Sequence, residues 1–227
     1  MLKYALPPLI ALALAACGAV PDSSGSATSE SAPQSAPRPA AISQQAQMCL
    51  NDLGQTGSRF LPLPDRYYSA GCATVNTVQL SALRGDKGQF ALSNIGPVEC
   101  PTAQTLSGWA RFGVDRAARQ ILGSALAKIE TMGSYSCRNV AGTSRLSAHS
   151  RAAAIDVSAF ILADGRRISV KDDWKGGSKE NRDFLRVVHG SACKRFGTVL
   201  GPEYNAAHHD HLHLELTAGQ SAGQFCR

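Results

Sequence analysis

Residues 208–216 read His208-His209-Asp210-His211-Leu212-His213-Leu214-Glu215-Leu216. From position 211 onward polar and apolar residues alternate, which is the period of a β-strand with two distinct faces. Leu212, Leu214 and Leu216 take the core face; His211, His213 and Glu215 take the other. A loose metal-binding tract would not end in Leu-Glu-Leu, so these imidazoles belong to a sheet. Working outward, Ala153 to Leu162 (AAIDVSAFIL) alternates in the same way, followed by a turn at Asp164-Gly165 and a second strand over Arg167 to Val170. Ala125 to Met132 predicts a further strand. Leu106, Trp109, Ala110, Val114, Ala117 and Ala118 recur at spacings of three and four, so a helix is predicted over Pro101 to Ala118, with a break near Gly113. A second helix is predicted over Asn181 to Phe196. Gln44 to Cys100, punctuated by Gly54, Gly57, Pro62, Pro64, Gly85 and Gly88, predicts short strands joined by loops. The expected class is α+β: an antiparallel sheet with helices packed on it.

Four of the six histidines fall within residues 208–213, and His149 precedes Asp156 with six residues between them. A catalytic zinc takes three protein ligands from imidazole and carboxylate and keeps a fourth position open. On a strand, His211 and His213 point to one face, so an H-x-H offers two imidazoles to a single site. A carboxylate ligand leaves the metal with a net charge near +1, enough to acidify a bound water toward neutrality. Either half alone is weak; together they predict one zinc site. His208 and His209 read as solvent-facing loop residues, His189 as a helix-surface or core residue, and Trp109 and Trp174 as packing. Glu215 reads either as a partner for a ligand imidazole or as an ordinary exposed strand residue.

Several landmarks occur in order: Gly133-Ser134-Tyr135-Ser136-Cys137-Arg138, Leu146-Ser147-Ala148-His149, Ala154-Ile155-Asp156-Val157-Ser158-Ala159-Phe160, Phe196-Gly197-Thr198-Val199-Leu200-Gly201-Pro202, and the terminal His-rich strand. Over roughly Cys49 to Arg227 this set resembles the bacterial extensin-like C-terminal domain family. H-x6-D followed by H-x-H also resembles the wider metallopeptidase superfamily that includes lysostaphin, D-Ala-D-Ala carboxypeptidases and the hedgehog signalling domain. The resemblance implies His149, Asp156 and His213 as zinc ligands, with His211 beside the metal. It implies Asp210 as general base, at a position where those peptidases carry Glu, and Arg138 as the counterpart of a substrate-binding arginine. Many members of the superfamily place Gly where this chain has Ala152.

The chain's start indicates export. Lys3 precedes the apolar stretch LPPLIALALAA at residues 6–16, and Leu14-Ala15-Ala16-Cys17 has the form of a bacterial lipobox. The expected organisation is a signal peptide over 1–16, a lipidated Cys17 with a Ser/Ala/Pro tether over 17–43, and one domain over 44–227. The six remaining cysteines, Cys49, Cys72, Cys100, Cys137, Cys193 and Cys226, read as three disulfides, because no C-x-x-C pair is present. Cys193 and Cys226 flank the terminal strand and are expected to pair. The net charge of +6 falls to about +5 with the loss of Lys3, and there is no Lys/Arg run. That modest basic bias suits an anionic cell wall or membrane surface, and no nucleic-acid partner is expected. The expected function is zinc-dependent hydrolysis of peptidoglycan peptides by a monomeric lipoprotein facing the periplasm. The alternative is a non-catalytic, zinc-stabilised murein-binding or scaffold module. A third reading, metal capture by the His tract, predicts several weak metals instead of one tight one.

Overall fold

The computed structural model describes residues 42–216 and 224–227. The expected signal peptide, Cys17 and nearly all of the expected tether lie outside the described residues. Among the described residues no helix is long and apolar enough to cross a membrane.

In chain order the elements are α1 (Gln44–Gln55), β1 (Arg59–Pro62), β2 (Arg66–Tyr67), β3 (Ala73–Thr74), β4 (Thr77–Arg84), β5 (Gln89–Ser93), β6 (Pro97–Glu99) and α2 (Cys100–Trp109). A π-helical turn, Ala110–Asp115, joins α2 to α3 (Arg116–Ile121). Then come β7 (Leu126–Gly133), β8 (Ala154–Leu162), β9 (Arg167–Ser169), α4 (Val170–Asp173), α5 (Lys179–Cys193), β10 (Thr198–Leu200), β11 (Leu212–Glu215) and β12 (Phe225–Cys226). The large sheet has the order β1-β4-β5-β7-β8-β11-β10-β12, with β6 pairing β4 and β9 pairing β8.

The α+β class holds, but the sheet is mixed and not wholly antiparallel: β5 runs parallel to β7, and β10 to β12. Between β5 and β7 the chain crosses over through α2 and α3, and a crossover returns a strand in the same direction as the one it left. The second correction concerns α1, in a stretch that reads as strands and loops. Ala46, Cys49, Leu50 and Leu53 have helical spacing, and Ser43 caps the helix by accepting the Ala46 N–H at 3.1 Å. A disulfide from Cys49 to Cys100 ties α1 to α2. The other pairs are Cys72–Cys137 and Cys193–Cys226, the second as expected from its position beside the terminal strand.

The core lies between the sheet and the helices. Trp109, fully buried, donates its indole N–H to the Val188 carbonyl at 2.9 Å and meets Phe160 and Phe196 edge-on. From α5, Phe184, Leu185, Val188 and Ala192 project inward. In β8, Ile155 and Val157 join this core, so alternation turns Asp156 and Ser158 to the opposite face of the sheet, away from the helices. That face carries the site.

The expected break at Gly113 is a π-turn in a continuing helix. There α5 crosses so closely that a Cβ on Gly113 would overlap the Ser191 side chain and crowd Trp109. Gly113→Val is therefore expected to lower unfolding free energy by about 1–3 kcal/mol in a urea titration. Gly108→Ala, one turn earlier with open space around it, is expected to be neutral or to stabilise by up to about 1 kcal/mol.

Candidate metal centre

Three adjacent segments build the site. Ser147 caps the short 3-10 turn Ala148–Arg151 and accepts the His149 N–H; the turn closes on Ala152 in the left-handed region, φ 60°. This explains why glycine is the easier residue at that position. Asp156 stands in β8 directly opposite His213 in β11. Residues paired across an antiparallel ladder share a face, so register alone brings these two together.

His149 Nε2 lies 3.2 Å from His213 Nδ1 and 3.2 Å from Asp156 Oδ2, and His213 Nδ1 lies 2.9 Å from Asp156 Oδ1. Four-coordinate zinc holds ligand atoms at about 2.0–2.1 Å, which sets tetrahedral edges of about 3.3 Å. The three separations are close to that length. The outer nitrogens are also committed. His149 Nδ1–H donates to the Ser134 carbonyl at 3.1 Å, leaving Nε2 as the lone-pair atom. His213 Nε2–H points to Glu215 Oε2 at 3.5 Å, leaving Nδ1. Two lone pairs and a carboxylate thus converge in a donor set that fits a divalent cation such as zinc. Of the two readings of Glu215, its place beside His213 favours the ligand partner. Ser134 is itself held by donating its hydroxyl to the Pro97 carbonyl at 2.7 Å.

With no cation among them these groups must share protons. Burial disfavours the Asp156 anion, yet hydrogen bonds from His149 and His213 outweigh it and hold the carboxyl well below the usual range. Burial likewise disfavours charged His213, but Asp156 and Glu215 push it up to about 9. A cation at this point replaces a proton.

Asp156 and His213 line an open cavity of about 470 Å³, whereas His149 reaches them from outside its lining. His211 lines it, with Nε2 3.6 Å from Asp156 Oδ1 and Nδ1–H donated to Asp210 Oδ1 at 2.8 Å. Asp210 therefore sits behind His211 and is not among the residues lining the cavity. The hydrogen bond from His211 is the main reason its carboxyl is held low. Arg138 lines the wall. His208 is not a solvent-facing loop residue: it is half-buried in the cavity, its ring 5.2 Å from that of His211, with Nδ1–H donated to Asn205 at 2.7 Å. Burial and then the nearby His211 and His213 push it down to about 4. Asn205 at the start of the 3-10 turn Ala206–His208 is the sequence signal for that placement. Arg145 and Tyr204 also line the cavity and have no motif to announce them. His209 is exposed as expected, and Trp109 and Trp174 are buried.

Fold and site together define a class: a disulfide-stapled α+β domain with a His-Asp-His cluster beside an open cavity. The chain belongs to the extensin-like protein C-terminus family, whose pattern matches residues 47–227. No curated protein and no solved structure matches it.

Two outcomes follow for metal binding. Glu215→Gln keeps the shape but weakens the acceptor behind His213, and zinc affinity measured by competition with a chelator is expected to fall about 10–100-fold. In chelator-treated protein, His213 above its ordinary 6.5 contributes stability fully below pH 6.5, and that contribution fades as the pH rises through about 9. The melting temperature should fall over that window by more than in His213→Asn, and zinc should remove the difference.

Proposed function

We propose that this protein is a zinc-dependent peptidase of the bacterial cell envelope that hydrolyses peptidoglycan peptides. The observation that carries the reading is the convergence of His149 Nε2, His213 Nδ1 and Asp156 at near-tetrahedral separations, with Asp156 and His213 lining a cavity. When bound, zinc polarises a scissile carbonyl and brings the acidity of a water close to neutrality. The chain's own residues supply the rest. His211, its Nδ1–H fixed by Asp210, turns a free Nε2 toward the cluster and takes the proton of the attacking water. It returns that proton to the leaving amine. Asp210 holds the tautomer and the ring orientation, a positioning role instead of direct proton abstraction, which accommodates a side chain one methylene shorter than Glu. Arg138 on the wall steadies the substrate and the developing oxyanion.

Murein is the substrate that the leader implies: a chain exported and anchored through Cys17 on a Ser/Ala/Pro tether faces the cell wall. The modest basic bias agrees with that surface. One observation favours the non-catalytic murein-binding module: Asp210, at the position of the peptidases' general base, lies outside the cavity lining.

Digestion of purified murein with zinc-loaded protein separates the two. The peptidase reading expects one zinc per chain and released muropeptides. His149→Ala should lose both zinc and activity. His211→Ala should keep zinc and lose on the order of 10²–10⁴-fold in rate, with Asp210→Asn in between. One tight zinc with intact murein would leave the binding module as the better account.

A further inference from the structure

The cavity has a second wall that the metal cluster does not explain. Residues 138–147 form a short hairpin: Asn139 and Leu146 bridge antiparallel, the Ser147 N–H donates to the Arg138 carbonyl at 3.0 Å, and the Val140 N–H donates to the Arg145 carbonyl at 2.8 Å. Opposed residues in such a pair, and residues two apart along one strand, share a face. That rule groups Arg138, Val140, Arg145 and Ser147, and all four line the cavity. The two arginines are diagonal neighbours, about 7–8 Å apart, within mutual reach of long side chains.

Neither is held in an ion pair. Arg111, Arg116, Arg119, Arg166, Arg167 and Arg186 each pair with Asp or Glu. Arg138 and Arg145 have no such partner among the described residues. Arg59, Arg66 and Arg84 also lack one, but they do not line the cavity, and the carboxylate that feels Arg145, Glu215, is hydrogen-bonded to His213. The carboxylates in the cavity lining, Asp156 and Glu215, are taken up by His149 and His213. A dication held by the cluster would add two more positive charges. A cavity with that balance and with two guanidinium groups in its lining favours an anion.

We propose that Arg138 and Arg145 form a carboxylate-binding subsite, so that a substrate peptide presents a carboxylate to the hairpin while its scissile amide lies over the His149-Asp156-His213 cluster. This rests on the peptidase reading given above. Guanidinium groups hold a carboxylate by paired, directional hydrogen bonds, so the subsite fixes which amide is offered as well as adding affinity. An uncharged wall would accept any interior stretch of peptide, whereas this wall requires a chain end or an acidic side group near the cut.

The test is calorimetric binding to the full chain, chelator-treated so that no peptide is cut. Three probes are used: acetyl-L-Lys-D-Ala-D-Ala as the free acid, the same peptide as its C-terminal amide, and an amidated peptide with one acidic residue before the D-Ala pair. The free acid is expected to bind about 10–100-fold more tightly than its amide. Arg145→Gln and Arg138→Gln should each bring that ratio close to one, and Arg145→Lys should restore part of it. Both arginines are exposed, so melting temperature and zinc content should not change. Tighter binding of the third probe would assign the subsite to an internal carboxylate, and preference for the first would assign it to the C-terminus. Equal binding of all three, no binding of any, or a ratio that survives both Gln substitutions overturns the proposal. If the ratio behaves as expected but the zinc-loaded protein cuts none of the peptides, the subsite stands and the peptidase reading falls.

Discussion

The register between β8 and β11 is the constraint on which the site depends. It sets Asp156 opposite His213 on the sheet face turned away from the helices, while Ile155, Val157, Leu212 and Leu214 fill the core on the other. A slip of β11 by one residue would turn His213 and Glu215 toward the core and Leu212 and Leu214 out to the polar face, parting His213 from Asp156. The hydrophobic core and the polar cluster therefore enforce the same alignment. His149 completes the cluster from outside the ladder, and its turn is anchored to the end of β7 through the Ser134 carbonyl.

Grouping two imidazoles and a carboxylate at about 3 Å, mostly out of water, is costly unless a cation or proton sits among them. Each imidazole of the cluster is backed by a further acceptor: Ser134 for His149 and Glu215 for His213. The same logic extends one step outward, where Asp210 backs His211 and Asn205 backs His208. Four imidazoles are thereby held each with one nitrogen committed and the other directed by the arrangement of its partner. The hairpin brings its two arginines to the same cavity. A cavity lined by acceptor-backed imidazoles and by two guanidinium groups outside any ion pair suits an anionic, polar ligand.

Much of this was legible in the residues, for a physical reason. Alternation in Leu212–Glu215 and Ala154–Leu162 reports a two-faced strand directly, and the same period that places leucines inward places His213 and Asp156 outward. Helical spacing likewise revealed the α2–α3 and α5 faces. The parallel ladders were not legible, because strand direction is decided by how connections cross the sheet and leaves no mark on the strand's own pattern. α1 carried the right spacing, yet its only cap lies in what reads as tether. The role of Glu215 stayed open because a strand residue on a polar face looks the same whether it meets water or a ligand. His208 and Arg145 are placed by a capped turn and a ten-residue hairpin, and such local geometry is only weakly encoded in residue type.

X-ray absorption at the zinc edge on stoichiometrically loaded protein tests the central claim most directly. The account predicts one zinc per chain with nitrogen and oxygen ligands only, at about 2.0–2.1 Å, including two imidazoles. Loss of one imidazole contribution in His213→Ala would identify that ligand. Failure to hold a stoichiometric zinc, or a first coordination sphere containing sulfur, would contradict the account.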